Sequence, residues 1–103
     1  MRYYVYMIEC VNGHYYTGYT MDVARRYLEH QAGNIKCKYT RAFPPKKLAA
    51  VWYFDNKSDA LRFEYHIKSL TRKKKEALVL ERTPTAEFDF LSNAQCFSAD
   101  RVL

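Results

Sequence analysis

Cysteine is sparse and unpaired in pattern: Cys10, Cys37 and Cys96 are widely spaced, odd in number and form no C-x-x-C unit. That argues against a zinc site or a redox motif and fits free thiols in a reducing compartment. No signal-like segment opens the sequence, and no apolar run nears membrane-spanning length. The expectation is a cytoplasmic protein without membrane contact. No internal repeat is found. Acidic residues are also in deficit, 11 against 17 Lys and Arg, which leaves a net charge of +6. A surplus of this kind favours polyanions, of which nucleic acid is the commonest. What the chain has in plenty is aromatic: ten Tyr and six Phe in 103 residues. This length is a prior for one domain with a modest core, large enough to need no disulfide or metal staple.

Residues 3 to 10 and 14 to 20 alternate and are rich in β-formers, with Asn12-Gly13 between them, the pattern of a β-hairpin. Thr20 or Asp22 can cap a helix over about 22–32 that Gly33 ends. Residues 34–47 are polar, basic and contain Pro44-Pro45, which reads as a loop. The apolar run 48–54 reads as a buried third strand. Capping residues at 55–58 introduce a helix over about 57–69, and Thr71 can cap another over about 72–81, closed by Pro84. The order β-β-α-β-α-α predicts an α+β fold, a small three-stranded antiparallel sheet flanked by helices. Residues 1–82 form the expected domain. Residues 83–103, with no Lys and one Arg, are a C-terminal extension, either an ordered appendage or a partly mobile tail.

Two segments concentrate the positive charge. Lys36, Lys38, Arg41, Lys46 and Lys47 are interleaved with Tyr39 and Phe43, the mixture that stacking on splayed bases requires. Arg72, Lys73 and Lys74 open the last helix; a solvated helix face explains them equally well. In the first helix Arg26 and His30 are four apart and face the same way. Arg can brace a phosphate bidentately, and His exchanges protons near neutral pH. Glu64 lies on or beside the apolar stripe of the second helix, where a carboxylate is costly unless paired or holding a cation. The alternative is an edge glutamate that reaches solvent or pairs with an Arg.

Taken together, these residues resemble the GIY-YIG nuclease superfamily over about residues 3 to 80. Tyr4-Val5-Tyr6 stands where the family has Gly-Ile-Tyr, and Tyr16-Thr17-Gly18 where it has Tyr-Ile-Gly. Arg26 and His30 match the family's helix-borne Arg and a frequent His or Tyr, and ALRFE resembles the segment bearing its metal-binding glutamate, here Glu64. The length and the TRKKKEAL segment look most like short stand-alone bacterial members related to structure-specific, junction-resolving enzymes. Tyr4 and Thr17 depart from the motifs, and the EALVLER region offers no counterpart to an Asn that many members carry.

The resemblance implies a metal-dependent endonuclease that hydrolyses phosphodiester bonds in DNA, with RNA also open, and a role in DNA repair or recombination. Tyr6, Tyr16, Arg26, His30 and Glu64 would be catalytic, and Glu64 would hold one weakly bound Mg²⁺ or Mn²⁺. Lys36, Lys38, Tyr39, Arg41, Lys46, Lys47, Arg72, Lys73 and Lys74 would contact nucleic acid. The alternatives are a binding module with the nuclease fold but little activity alone, and a protein-interaction domain, a protein partner or a second copy packing on the tail.

The nuclease reading sets a geometric condition. A two-residue turn at Asn12-Gly13 puts Tyr6 and Tyr16 on opposite faces of the hairpin. A three-residue loop, Val11-Asn12-Gly13 with Gly13 left-handed, pairs Tyr16 with Ile8 and Tyr6 with Gly18, so both tyrosines share one face. The missing side chain at Gly18 is then expected to leave room beside Tyr6.

Overall fold

A computed structural model describes residues 2–33, 37–81 and 95–97 of the chain. Its elements are β1 (Tyr3–Cys10), β2 (Tyr15–Thr20), α1 (Val23–Gln31), α2 (Lys38–Ala42), β3 (Pro45–Phe54), α3 (Lys57–Ser69), α4 (Arg72–Glu81) and β4 (Gln95–Phe97). The expected α+β architecture is present, with β2, β1 and β3 antiparallel and flanked by helices. A three-residue strand from the C-terminal extension adds to it: β4 pairs with β3, giving the order β2-β1-β3-β4.

Both faces of this sheet are covered, which is why β1 reads as a nearly continuous apolar run. Val5 and Met7 of β1 join Ala50, Trp52 and Phe54 of β3 on one face, beneath Ala60, Phe63 and Ile67 of α3 and Leu78 of α4. Phe63 meets Trp52 edge-on, with ring centroids 5.1 Å apart, and lies 5.5 Å from the Phe54 ring. The other face carries Tyr6, Ile8 and Cys10 with Leu48 and Val51, beneath Val23 and Tyr27 of α1. Strand alternation thus sends Tyr6 toward α1 and its neighbours Val5 and Met7 toward α3.

The helix ends follow local capping chemistry. Asp22 Oδ1 accepts from the Arg25 N–H at 3.1 Å, Asn56 Oδ1 from the Asp59 N–H at 3.3 Å, and Thr71 Oγ1 from the Lys74 N–H at 3.3 Å.

One expectation needs correction. Residues 34–47 are not all loop: α2 occupies five of them, and β3 begins at Pro45 rather than residue 48. A proline is tolerated at the first position of a strand, where its missing N–H breaks little of the ladder. Lys46 and Lys47 extend that strand alongside Glu9, with Nζ–carboxylate distances of 3.4 and 3.9 Å. A single turn such as α2 has no periodicity for sequence reading to detect. It is held by tertiary contacts, described next.

Candidate active site

The β1–β2 turn is the three-residue form. Gly13 has φ +81°, its N–H donates to the Cys10 carbonyl at 2.9 Å, and the Cys10 N–H donates to the His14 carbonyl at 2.8 Å. Glycine takes this left-handed conformation without the Cβ clash of other residues. Asn12 Oδ1 accepts from the His14 N–H at 3.1 Å and braces the loop. The register follows: Ile8 opposes Tyr16, and Tyr6 opposes Gly18. The two tyrosines therefore share the face under α1, with ring centroids 6.4 Å apart.

The space over Gly18 is not open, which corrects the expectation of room beside Tyr6. The Tyr6 ring itself lies across the glycine, and a Cβ there would collide with its hydroxyl end. Gly18 is thus required for close approach, so that Tyr6 can lie flat and direct its hydroxyl toward α1.

There the hydroxyl meets two residues of α1 on one helix face. Tyr6 Oη is 2.9 Å from His30 Nε2, and the Arg26 guanidinium is near enough to favour its ionised form. His30 Nδ1 lies 2.6 Å from Thr40 Oγ1 of α2, whose hydroxyl is 3.3 Å from the Cys37 carbonyl. Tyr6 and His30 are each 1% exposed. Burial pushes the Tyr6 hydroxyl well above the usual tyrosine range, the nearby Tyr16 adds to this, and Arg26 opposes it. Burial and then the Arg26 cation lower His30 to about 4, so its imidazole is neutral at physiological pH. Burial acts to lower Arg26, but Tyr6 and Glu29 outweigh it and raise the guanidinium further. Arg26 Nη1 is 3.0 Å from Glu29 Oε1.

Tyr16 is half-buried, its ring 5.0 Å from that of His30 and stacked on Tyr39 at 5.7 Å with an interplanar angle of 25°. Tyr39 in turn packs against Phe43 at 5.3 Å. An aromatic ladder thus leads from the buried group to an exposed ring. At the other end of β2, Tyr19, Thr20, Met21, Asp22, Arg25, Arg26 and Glu29 line a recess of about 400 Å³. Since β2 is an edge strand, its outer side is unobstructed by any neighbouring strand among the described residues.

Glu64 stands apart from this group. It belongs to α3, on the opposite face of the sheet, and no hydrogen bond joins it to Tyr6, Arg26 or His30 among the described residues. Its carboxylate pairs with Lys68 at 3.2 Å, with side-chain exposures of 17% for Glu64 and 54% for Lys68. Its link to the recess is Tyr19, whose hydroxyl it helps to raise after burial and Tyr3 have acted. Tyr19 thus lines the recess together with Arg26 while the Glu64 carboxylate acts on its hydroxyl. Among the described residues no group of three or more His, Cys, Asp or Glu is arranged as a metal cage. A single, partly buried carboxylate with an exchangeable Lys partner fits a hard cation that keeps most of its waters.

Of the expected nucleic-acid contacts, Lys36 lies outside the described residues. Lys38 and Arg41 are exposed on α2, Lys46 and Lys47 are exposed beside Glu9, and Arg72, Lys73 and Lys74 are exposed on α4. The hairpin turn joins these groups. The Val11 N–H donates to the Pro44 carbonyl at 2.9 Å, and Asn12 Nδ2 reaches Tyr39 Oη at 3.4 Å. On the other side, Arg72 Nη2 is 3.0 Å from where a Cβ on Gly13 would stand. Two residues near the site were not singled out from sequence: Glu29, which an i,i+3 spacing to Arg26 could have flagged, and Thr40, for which the sequence holds no signal.

Comparison with known proteins places the chain in a family. Residues 2–77 match the GIY-YIG catalytic domain. The UPF0213 protein BH0048 of Halalkalibacterium halodurans is 51% identical over 79 residues, 77% of this chain and 83% of the relative. The UPF0213 protein VNG_2274C of Halobacterium salinarum is 56% identical over 75 residues, 73% of this chain and 96% of the relative. A solution NMR structure of the UPF0213 protein BH0048 from Bacillus halodurans superposes with a TM-score of 0.53 at 49% identity, covering 80% of this chain and 86% of that one. Among the described residues no helix is long and apolar enough to cross a membrane. With the match spanning most of its length, the chain belongs to the GIY-YIG nuclease superfamily.

Proposed function

We propose that this protein is a metal-dependent endonuclease that hydrolyses phosphodiester bonds in DNA. The observation that carries the reading is the Arg26–Tyr6–His30 group, a cation near a hydroxyl that is hydrogen-bonded to a neutral imidazole, beside the open edge of β2.

The chemistry follows from the partners. A phosphodiester entering the recess offers Arg26 a better acceptor than Glu29, and bidentate bracing stabilises the charge that builds on phosphorus-bound oxygens. Once Arg26 turns to the phosphate, a lone pair of Tyr6 Oη is free to take a proton from water. The Tyr6 proton passes to His30 Nε2, which burial has kept unprotonated. The resulting hydroxide attacks phosphorus, the P–O3′ bond breaks, and the leaving oxygen takes a proton from solvent. Tyr16 orients the water or the phosphate. A divalent cation, Mg²⁺ or Mn²⁺, would be held by Glu64 and supply neutralisation of the scissile phosphate and the leaving oxygen. Lys38, Tyr39, Arg41, Lys46, Lys47, Arg72, Lys73 and Lys74 would bind the strands on either side, with Tyr39 and Phe43 offering ring faces to unpaired bases.

The test incubates the protein and Mg²⁺ or Mn²⁺ with duplex, flap, branched and single-stranded DNA beside Glu64→Ala. Metal-dependent cutting that Glu64→Ala reduces ~10²-fold or more is the expected result. Cutting that persists in Glu64→Ala removes the metal role. Salt-sensitive binding with no cutting of any substrate favours the alternative, a nucleic-acid-binding module that needs a partner to cleave.

A further inference from the structure

Thr40 lies in the basic helix α2 and carries no charge, yet it is 1% exposed and its hydroxyl touches the imidazole of His30. Counting protons along this contact fixes a direction. The Cys37 carbonyl can only accept, so the Thr40 hydroxyl donates to it at 3.3 Å and has no second proton to give. His30 Nδ1, 2.6 Å from Thr40 Oγ1, therefore carries the proton that Thr40 accepts. The neutral imidazole then has its lone pair on Nε2, which accepts from the Tyr6 hydroxyl at 2.9 Å. Tyr6, His30 and Thr40 thus each give one proton toward the backbone carbonyl.

We infer that Thr40 is a positioning residue: by accepting from Nδ1 it holds His30 in the tautomer whose Nε2 can take the proton of Tyr6. The inference rests on the nuclease reading for its catalytic consequence, while the tautomer itself does not depend on that reading. It also assigns a purpose to α2, a helix of five residues whose Thr40 faces inward while Lys38 and Arg41 face solvent. A valine matches threonine in shape but cannot accept a hydrogen bond, which separates packing from proton placement.

Long-range ¹H–¹⁵N correlation spectra of ¹⁵N-histidine-labelled protein read the tautomer directly. Wild type and Thr40→Ser should show a protonated Nδ1 and an unprotonated Nε2 on His30, and Thr40→Val should shift the population toward the Nε2–H form. Turnover in Thr40→Val should fall ~10–100-fold, as when an orienting partner of a histidine is lost. Affinity for DNA should be unchanged, and Thr40→Ser should restore turnover. A protonated Nε2 in the wild type overturns the inference even if Thr40→Val does not fold. So does a Thr40→Val protein that shifts tautomer with full activity. A wild type with the expected tautomer that cuts no substrate refutes the nuclease reading instead, and the spectra still decide what sets the tautomer.

Discussion

A histidine kept neutral inside a cationic site ties stability to pH. His30 is held at about 4 in the fold against an ordinary value near 6.5. The unfolded chain therefore binds a proton that the folded one refuses. Its contribution is complete above pH 6.5 and is lost as pH falls through the interval down to about 4, reaching roughly 3 kcal/mol at full extent. Urea midpoints measured at pH 7 and 4.5 should show this loss, and His30→Gln should flatten the same interval. A second prediction at this scale concerns Gly18. Its Cα lies under the Tyr6 ring, so Gly18→Ala must displace that ring, at a cost of about 1–3 kcal/mol. Cleavage should fall with it, because the hydroxyl of Tyr6 would leave Arg26 and His30; denaturation and a nuclease assay on the same preparation check both. Lysine cannot reproduce the fork of Arg26, so Arg26→Lys should lower turnover by ~10²-fold with little change in stability.

At the scale of elements, the β1–β2 hairpin decides whether a site exists. One residue more or fewer in the turn reverses the face of every β2 side chain. Deleting Asn12 should therefore move Tyr16 away from His30 and remove the ring contact now at 5.0 Å. Loss of nuclear Overhauser contacts between the two rings would register it. Gly13→Ala keeps the register but strains a residue at φ +81°, so about 1 kcal/mol of stability should go while the ring contacts survive. The hairpin was legible because Asn12-Gly13 separates two alternating runs, and its odd parity because Tyr6 and Tyr16 cannot share a site otherwise. Helix α2 was not legible. Five residues carry no helical period, and what holds them is Thr40 on His30 and Tyr39 on Tyr16.

Over the whole molecule, charge and topology point to one end. The segments around Lys38–Ala42 and Arg72–Glu81 are far apart in sequence and lie on opposite faces of the sheet, yet both reach the hairpin turn. If they hold DNA there, log affinity should fall linearly with log salt, and Lys73→Gln or Lys74→Gln should each reduce the slope by about one. The same substitutions should leave the urea midpoint unchanged, since both side chains are exposed. Binding isotherms across a salt series, with one duplex and one branched substrate, measure this and show whether the two are held differently.

The sequence by itself determined the hairpin and the helices α1, α3 and α4, and it named the side chains for which a chemical role is proposed. These depend on periodicity, capping residues and spacing along one strand or helix. Tertiary structure decided the rest, because burial and hydrogen bonding depend on neighbours remote in the chain. Only the fold shows the Tyr6 ring lying on Gly18, His30 enclosed between Tyr6 and Thr40, and Arg26 shared between Tyr6 and Glu29. Only the fold sets Glu64 on the far face, related to Arg26 through the exposed edge of β2. A local motif names the groups, but the dielectric and the proton acceptors around them come from strands and helices that meet only on folding.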